Sequence, residues 1–162
     1  MGKPLNLLGF DFGSKRIGAA FASNPHTQPI VLAPIKAQDG IPNWQTLESL
    51  VSQWQAQAFV VGIPYNMDGS VSEMAIRARK FANRMSARFD CPCYVVDERL
   101  STQAAKQEHL QAGGGSDWKK HGVDGIAAGL ILQSWFRETE HRLSNVPFQT
   151  AQETPNTNKE DA

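Results

Sequence analysis

Residues 5–35 read LNLLGFDFGSKRIGAAFASNPHTQPIVLAPI, and they decide the fold class because they contain three short apolar runs joined by brief polar connections. The runs cover residues 5–11, 17–22 and 30–35, and the Asn24-Pro25 pair marks a turn before the third run. Connections this short join neighbouring antiparallel strands. The segment therefore predicts a meander of three antiparallel strands.

Downstream of the meander the apolar pattern alternates between helical and strand periods. Apolar residues at three- and four-residue spacing predict two amphipathic helices, along Trp44, Leu47, Leu50, Val51 and Trp54 and along Met74, Ala78, Phe81, Met85 and Phe89. Continuous apolar runs over 58–63 and 92–98 predict buried strands, and further helices are expected over 102–112 and 123–140. The order β-β-β-α-β-α-β-α predicts an α/β fold, with a mixed five-stranded sheet and helices on both faces.

The composition is typical of one globular domain, with 162 residues of which 41% are apolar and 20% charged. The 16 basic and 16 acidic side chains balance, which excludes a histone-like basic protein and an acidic disordered chain. The apolar stretches are too short to span a bilayer and no secretory leader is recognised, so we expect a cytoplasmic protein. Residues 1–143 are expected to form the domain, and the polar residues 144–162 a disordered tail.

Three carboxylates fall where an α/β sheet usually holds its ligands. Asp11 ends the first strand, Glu98 ends the last, and Asp124 opens the final helix. Converging carboxylates repel one another unless a cation compensates them, and oxygen ligands suit Mg²⁺ or Mn²⁺. Acidic residues at strand ends and helix starts also serve as turn and capping residues. Taken alone, the constellation leaves a metal site and a structural role both open.

Four segments together resemble one known family. They are GFDFGSKRIG at 9–18, VVGIPYNMDGS at 60–70, DERLST at 97–102 and VDGIAAGLILQSWF at 123–136. In this order and spacing the chain is similar, over residues 5–137, to the YqgF (RuvX-like) family of Holliday junction resolvases and ribosomal RNA-processing nucleases. The resemblance implies a ribonuclease H-like fold.

The resemblance also implies an activity and a site. The activity is metal-dependent endonucleolytic cleavage of nucleic acid, with trimming of the 5′ end of the small-subunit (16S) ribosomal RNA precursor as the favoured role. The catalytic and metal-binding carboxylates would be Asp11, Glu98 and Asp124, with Mg²⁺ or Mn²⁺ as the cofactor. Histidine or aspartate occurs in related resolvases three residues before the last of these carboxylates. His121 therefore is expected either to assist metal binding or water activation, or to be an ordinary loop histidine.

Basic residues near the carboxylates are candidates for phosphate contacts. Lys15 and Arg16 follow Asp11 closely, and Lys119 and Lys120 precede the final helix. Arg99 is expected either to hold Glu98 in place or to contact phosphate, and we favour the orienting role.

Two further features, in residues 67–89, have either a substrate-binding or a purely structural interpretation. The turn at 67–70 leads into the second helix with Ser70 as a candidate cap, and it is either part of a substrate groove or a plain turn. Arg77, Lys80, Arg84 and Arg88 share a face of that helix. Such a stripe could follow a phosphate backbone, although it is more often a solvated helix face.

Several alternatives stay open for the function. The same enzyme class could resolve four-way DNA junctions, which would favour a homodimer over a monomer because two symmetric cuts need two sites. A protein that binds nucleic acid or transcription machinery without cutting is a third possibility. Partners would be precursor ribosomal RNA, precursor ribosomal particles or branched DNA, and no membrane. The Cys91 and Cys93 spacing matches no zinc or redox motif, so both thiols are expected to stay reduced.

Overall fold

The computed structural model describes residues 5–100 and 123–145, and within them the side chains of residues 5–99 and 125–139. Six strands, three long helices and one short 3₁₀ turn make up the described part of the chain. In chain order they are β1 (Leu7–Asp11), β2 (Arg16–Ala22), β3 (Ile30–Gln38), β4 (Ile41–Pro42), α1 (Trp44–Trp54), β5 (Ala58–Ile63), α2 (Glu73–Phe89), β6 (Cys93–Asp97), the 3₁₀ turn (Glu98–Leu100) and α3 (Val123–Asn145).

The strands form one mixed sheet in the order β4-β3-β2-β1-β5-β6. Strands β1 to β4 pair antiparallel with their chain neighbours, which confirms the predicted meander. Strand β5 pairs parallel with β1, and β6 parallel with β5. Because parallel neighbours end at the same edge, the carboxyl ends of β1, β5 and β6 lie together.

The prediction of five strands was wrong by one, because β4 is a two-residue strand. It pairs with Ala37 and Gln38 of β3 through a hairpin whose two central residues, Asp39 and Gly40, have φ of 52° and 82°. Asp-Gly is a favoured pair for such a two-residue hairpin, since both positions need positive φ. The sequence signal was therefore present, but a two-residue strand shows no alternation of its own.

One face of the sheet packs against α1 and α2. Leu8 and Phe10 of β1 point to this face, where Phe10 contacts the Phe81 ring edge-on at 5.7 Å between centroids. The apolar residues predicted to form the helix stripes are at this interface, with Leu47 of α1 and Met85 of α2 fully buried. Packing of two helices on one face and α3 on the other confirms the prediction of helices on both faces.

The opposite face packs against α3, which approaches the backbone closely. Leu7 and Gly9 of β1 point to this face, and a Cβ added at Gly9 would lie 2.6 Å from Cγ of Leu132 and 3.0 Å from the carbonyl oxygen of Ala128. The sheet therefore needs a residue without a side chain at this position so that α3 can pack. None of the described helices is long and apolar enough to cross a membrane.

Two helix boundaries differ from the sequence predictions, and some predicted segments lie outside the residues that the structure describes. Helix α2 begins after Ser72, whose hydroxyl accepts a hydrogen bond from the Ala75 N–H, so the prediction of Ser70 as its cap was wrong. Helix α3 runs to Asn145, past the expected end at residue 140. The predicted helix over 102–112 and residues 146–162 lie outside the described residues.

Two glycine substitutions test the packing of α3, and we expect them to act in opposite directions. Gly9→Ala should lower the free energy of unfolding by about 1–3 kcal/mol, since the new methyl overlaps Leu132. Gly129→Ala should raise it by up to about 1 kcal/mol, because the added Cβ meets Pro29 at an ordinary 3.5 Å and alanine favours the helix. Urea denaturation measures both, and equal effects of the same sign would contradict the packing described for Gly9.

Candidate functional site

The site is built at the shared carboxyl edge of β1, β5 and β6. The register aligns Phe10 of β1 with Val61 of β5, and Gly62 of β5 with Val96 of β6. The next residue of β1, Asp11, therefore lies beside Gly62, at about the 4.8 Å spacing of neighbouring strands.

The Asp11 side chain lies on the α3 face of the sheet and has a glycine on each side. Alternation along β1 places it on the face of Leu7 and Gly9. Its antiparallel partner on β2 is Gly18, where the β2–β3 register shifts, and its parallel neighbour is Gly62. Neither neighbouring strand therefore presents a side chain next to the carboxylate of Asp11.

The Glu98 side chain folds over β5 onto the same face. A Cβ added at Gly62 would lie 2.7 Å from both Cγ and Oε2 of Glu98, and 2.5 Å from Cδ1 of Ile131 in α3. The carboxylate of Glu98 thus occupies the space above Gly62, next to the register position of Asp11. The structure brings together two of the three carboxylates that the sequence predicted.

The third predicted carboxylate, Asp124, is the second residue of α3, and its side chain lies outside those described. The backbone of this first turn is held against β3, since a Cβ added at Gly125 would lie within contact distance of Val31 and Leu32. Asp124 therefore starts the helix that covers the face carrying Asp11 and Glu98. Among the side chains that the structure describes, no group of three histidine, cysteine, aspartate or glutamate residues is arranged to hold a metal ion.

Arg99 forms its ion pair with Asp97 and not with the adjacent Glu98, so the orienting role predicted for it does not act through a direct ion pair. Its Nη2 donates to Oδ2 of Asp97 at 2.6 Å, and Nε lies 3.1 Å from Oδ1 and 3.0 Å from Oδ2. The hydrogen bonds from the Arg99 side chain lower the pKa of the Asp97 carboxyl, and the bond from the Arg99 backbone N–H acts in the same direction against the effect of burial. The role of Asp97 was not predicted from the sequence, although its position two residues before Arg99 was an available signal for the pair.

Lys15 and Arg16 are exposed at the turn that follows Asp11. The turn needs glycine at position 13, since a Cβ there would lie only 2.4 Å from the carbonyl oxygen of Arg16. The carbonyl oxygen of Lys15 accepts a hydrogen bond from the Ala37 N–H at 2.9 Å, which ties the turn to β3. Both basic side chains therefore project from a fixed backbone at the edge that carries the carboxylates. Lys119, Lys120 and His121 lie outside the described residues.

The basic stripe on α2 lies on the opposite face of the sheet, and its two ends are paired. Arg77 donates to Asp39, and Arg88 donates to Glu48 while its guanidinium lies 4.5 Å from the centre of the Trp44 ring. The stripe lies on the other side of the sheet from the Asp11 side chain and serves in part to link α2 to neighbouring elements. This supports the interpretation as a solvated helix face.

The two cysteines do not contribute to a reactive site. Neither forms a disulfide, as predicted, and burial raises the pKa of both the Cys91 and the Cys93 thiol. A raised pKa disfavours the thiolate, which is the reactive form. The candidate site is therefore built on its carboxylates, of which the structure describes Asp11 and Glu98.

Sequence comparison finds a family and several proteins that are similar to this chain. The sequence profile of the RuvX family, described as Holliday junction resolvase, matches residues 5–138. A Pseudomonas aeruginosa protein named pre-16S rRNA nuclease is 47% identical over 137 residues, covering 84% of this chain and 95% of that protein. A Chromohalobacter salexigens protein of the same name is 49% identical over 132 residues, covering 82% of this chain and 89% of the relative.

Solved structures show the same architecture. The structure of Thermus thermophilus RuvC in complex with a Holliday junction substrate has a TM-score of 0.54 at 14% identity, over 88% of this chain and 98% of that one. The yeast mitochondrial Holliday junction resolvase has a TM-score of 0.54 at 13% identity, over 90% of this chain and 83% of its own. These likenesses show that the chain shares the α/β fold of these two structures.

Gly62→Ala tests whether the Glu98 carboxylate depends on the space above Gly62 for its position beside Asp11. The new methyl would overlap the Glu98 carboxylate and Cδ1 of Ile131, so we expect Mn²⁺ affinity to fall by on the order of tenfold. Calorimetric titration with Mn²⁺ measures this, and Gly129→Ala is a control at the same helix. A second variant that also carries Ile131→Val removes the apolar overlap and should recover stability but not metal affinity. Unchanged Mn²⁺ affinity in Gly62→Ala would contradict the placement.

Proposed function

Since the chain belongs to the RuvX family, we propose that it is a divalent-metal-dependent endonuclease that matures the 5′ end of the small-subunit (16S) ribosomal RNA precursor. The observation that carries the proposal is the meeting of Asp11 and Glu98 on one face of the sheet, above Gly62. The relatives that are 47% and 49% identical to this chain over the aligned residues are named pre-16S rRNA nuclease, which supports the RNA substrate.

The donor set fits Mg²⁺ or Mn²⁺. Both side chains are carboxylates, which hard divalent cations prefer, and the glycines on both neighbouring strands place no side chain of those strands beside Asp11. We assign Asp124, at the start of α3, as the third ligand. Asp11, Glu98 and Asp124 would hold the metal, and bound divalent ions would supply activation of a water molecule and stabilisation of the leaving oxygen in phosphodiester hydrolysis.

The remaining proposed roles belong to basic residues around the carboxylates. Lys15 and Arg16 hold the substrate backbone from the β1–β2 turn, and Lys119 and Lys120 do so from the segment before α3. His121 assists metal binding or water activation. The protein acts in the cytoplasm on precursor ribosomal RNA or on precursor particles.

A four-way DNA junction is the second candidate substrate, and the family's description as Holliday junction resolvase favours it. Symmetric cutting of a junction requires two copies of the site in one complex. The two substrates therefore separate by oligomeric state as well as by chemistry: a monomer suffices for the RNA end, and a homodimer is needed for paired cuts.

The proposed activity is tested by removing single carboxylates. Purified protein is incubated with Mn²⁺ or Mg²⁺ and either a short RNA spanning the precursor 5′ processing site or a four-way DNA junction. Asp11→Asn, Glu98→Gln and Asp124→Asn should each lower the cleavage rate by on the order of a hundredfold or more, because each removes a charged metal ligand. Asp39→Asn is the matched control, since Asp39 lies in the β3–β4 hairpin and pairs with Arg77.

The pattern of products decides between the candidates. Cleavage of RNA that depends on all three carboxylates supports the maturation role, and cleavage of the junction alone supports the resolvase. Binding without cleavage of either would move the assignment to a protein that binds nucleic acid without cutting it. Equal loss in Asp39→Asn would show that the carboxylate effects are not specific.

The basic turn after Asp11 makes a separate prediction about substrate binding. Lys15→Gln and Arg16→Gln should each weaken binding and reduce the slope of log affinity against log salt concentration by about 0.7–0.9, as expected for one lost phosphate contact. Lys80→Gln, on α2 at the opposite face, should leave the slope unchanged. Fluorescence anisotropy at several salt concentrations measures all three. A larger change for Lys80→Gln than for Lys15→Gln would place the substrate on the α2 face instead.

A further inference from the structure

We propose that Asp97 and Arg99 are positioning residues that hold Glu98 over β5 and join it to the β5–α2 loop, residues 64–71, as one unit. The inference rests on the proposed function, because it concerns the orientation of a carboxylate assigned there to metal binding. Neither residue is required to touch substrate or metal.

Alternation of side chains separates the three residues. Asp97 ends β6 and follows Cys93 and Val95 along the face of α1 and α2. Glu98 turns to the other face and lies above Gly62. Arg99 then returns to Asp97, so that the ion pair closes behind the residue that faces the site.

Asp97 fixes the backbone that carries Glu98. Its Oδ1 accepts a hydrogen bond from the Arg99 backbone N–H at 2.9 Å. That N–H belongs to the peptide joining Glu98 to Arg99, so the bond restricts rotation of the backbone directly after Glu98. The guanidinium of Arg99 holds the same carboxylate from its other side, which keeps the acceptor in place.

Arg99 also reaches the β5–α2 loop. Its Nη1 donates to the carbonyl oxygen of Met67 at 3.3 Å, and its guanidinium carbon lies 5.8 Å from the centre of the Tyr65 ring. A Cβ added at Gly69, where φ is 90°, would lie 3.5 Å from Nη1. The loop and the turn containing Glu98 are therefore in contact at the carboxyl edge of the sheet.

The loop is fixed internally as well. The Ser70 hydroxyl donates to Asp68 at 2.6 Å and accepts from Asn66 at 2.9 Å, and the Ser72 hydroxyl donates to the Pro64 carbonyl oxygen at 3.0 Å. Met67, at the centre of this hydrogen-bonded loop, is 88% exposed. A rigid loop that shares one guanidinium with the Glu98 turn forms a wall beside the site, and movement of either is transmitted to the other.

The geometry requires arginine and not merely a positive charge. Arg99 uses Nε and Nη2 for the carboxylate and Nη1 for the carbonyl oxygen, and the planar guanidinium presents these donors together. A lysine ammonium keeps the charge but cannot span both acceptors. Arg99→Lys therefore separates a positioning role from a phosphate contact.

The experiment combines kinetics with two measurements that need no activity. We expect Arg99→Lys and Asp97→Ala to lower kcat by on the order of tenfold with KM and the salt slope unchanged, and to weaken Mn²⁺ binding by a similar factor. Asp97→Asn, which keeps an acceptor for the Arg99 N–H, should recover part of the loss. Hydrogen exchange at the amides of residues 66–70 should become faster in Arg99→Lys. Arg88→Lys and Glu48→Ala, from the ion pair on the other face, are the matched controls.

A double-mutant cycle completes the test. If Asp97 and Arg99 act as one unit, the combined variant should lose no more than either single variant, whereas additive losses would overturn the inference. Unchanged kcat with a raised KM and a reduced salt slope in Arg99→Lys would assign Arg99 to phosphate binding instead. If the parent protein cleaves nothing, the proposed function fails, yet exchange at residues 66–70 and Mn²⁺ affinity still decide the inference. No change in these two in Arg99→Lys overturns it whatever the activity.

Discussion

The close approach of α3 to the sheet is the constraint on which both the core and the site depend. Gly9 and Gly62 lie beneath this helix, and at each of them an added Cβ would lie within 2.7 Å of a residue packed above it. At Gly9 the atoms above the backbone are Leu132 and Ala128 of the helix, so the glycine allows the second face of the sheet to be covered. At Gly62 they are Ile131 and Glu98, so the same kind of gap admits a carboxylate. One packing requirement thus closes the core and places a charged group over β5, beside the apolar side chain of Ile131.

In the turn after β6, two residues form an ion pair with each other and the residue between them extends to the opposite face of the sheet. Asp97 and Arg99 satisfy one another on one side of the backbone, and Glu98 extends to the other. A carboxylate that is to bind a cation must not be neutralised by a neighbouring arginine, and this turn meets the condition because the arginine already has a carboxylate partner. The ion pair lies partly exposed, so its direct contribution to stability is small, and its effect comes from the geometry it imposes on the backbone between its members.

Sequence patterns predicted the parts of this molecule that depend on periodicity. The apolar runs of residues 7–11 and 58–63 are strands, and the stripes through Leu47 and Met85 face the core. Patterns could not predict contacts that depend on two distant segments meeting. The two-residue strand at Ile41 forms because it pairs with the edge of β3. Arg99 donates to the Met67 carbonyl oxygen because β5 and β6 are neighbours in the sheet. The importance of Gly62 was also hidden, since a glycine in a strand does not show what will pack above it.

The distribution of charge limits how this chain can recognise a polyanion. With 16 basic and 16 acidic residues, the long-range field that would draw in any nucleic acid is weak. On α2, Arg77 and Arg88 are each paired with an acidic residue of another element, which further reduces the charge available on that face. Lys15 and Arg16 are exposed at the edge that carries Asp11 and Glu98. If Lys15 and Arg16 make the proposed phosphate contacts, those contacts are few and close to the carboxylates, and binding would depend more on the shape of the nucleic acid than on its length. A substrate with a defined structure at the cleavage point suits such a surface better than an extended strand does.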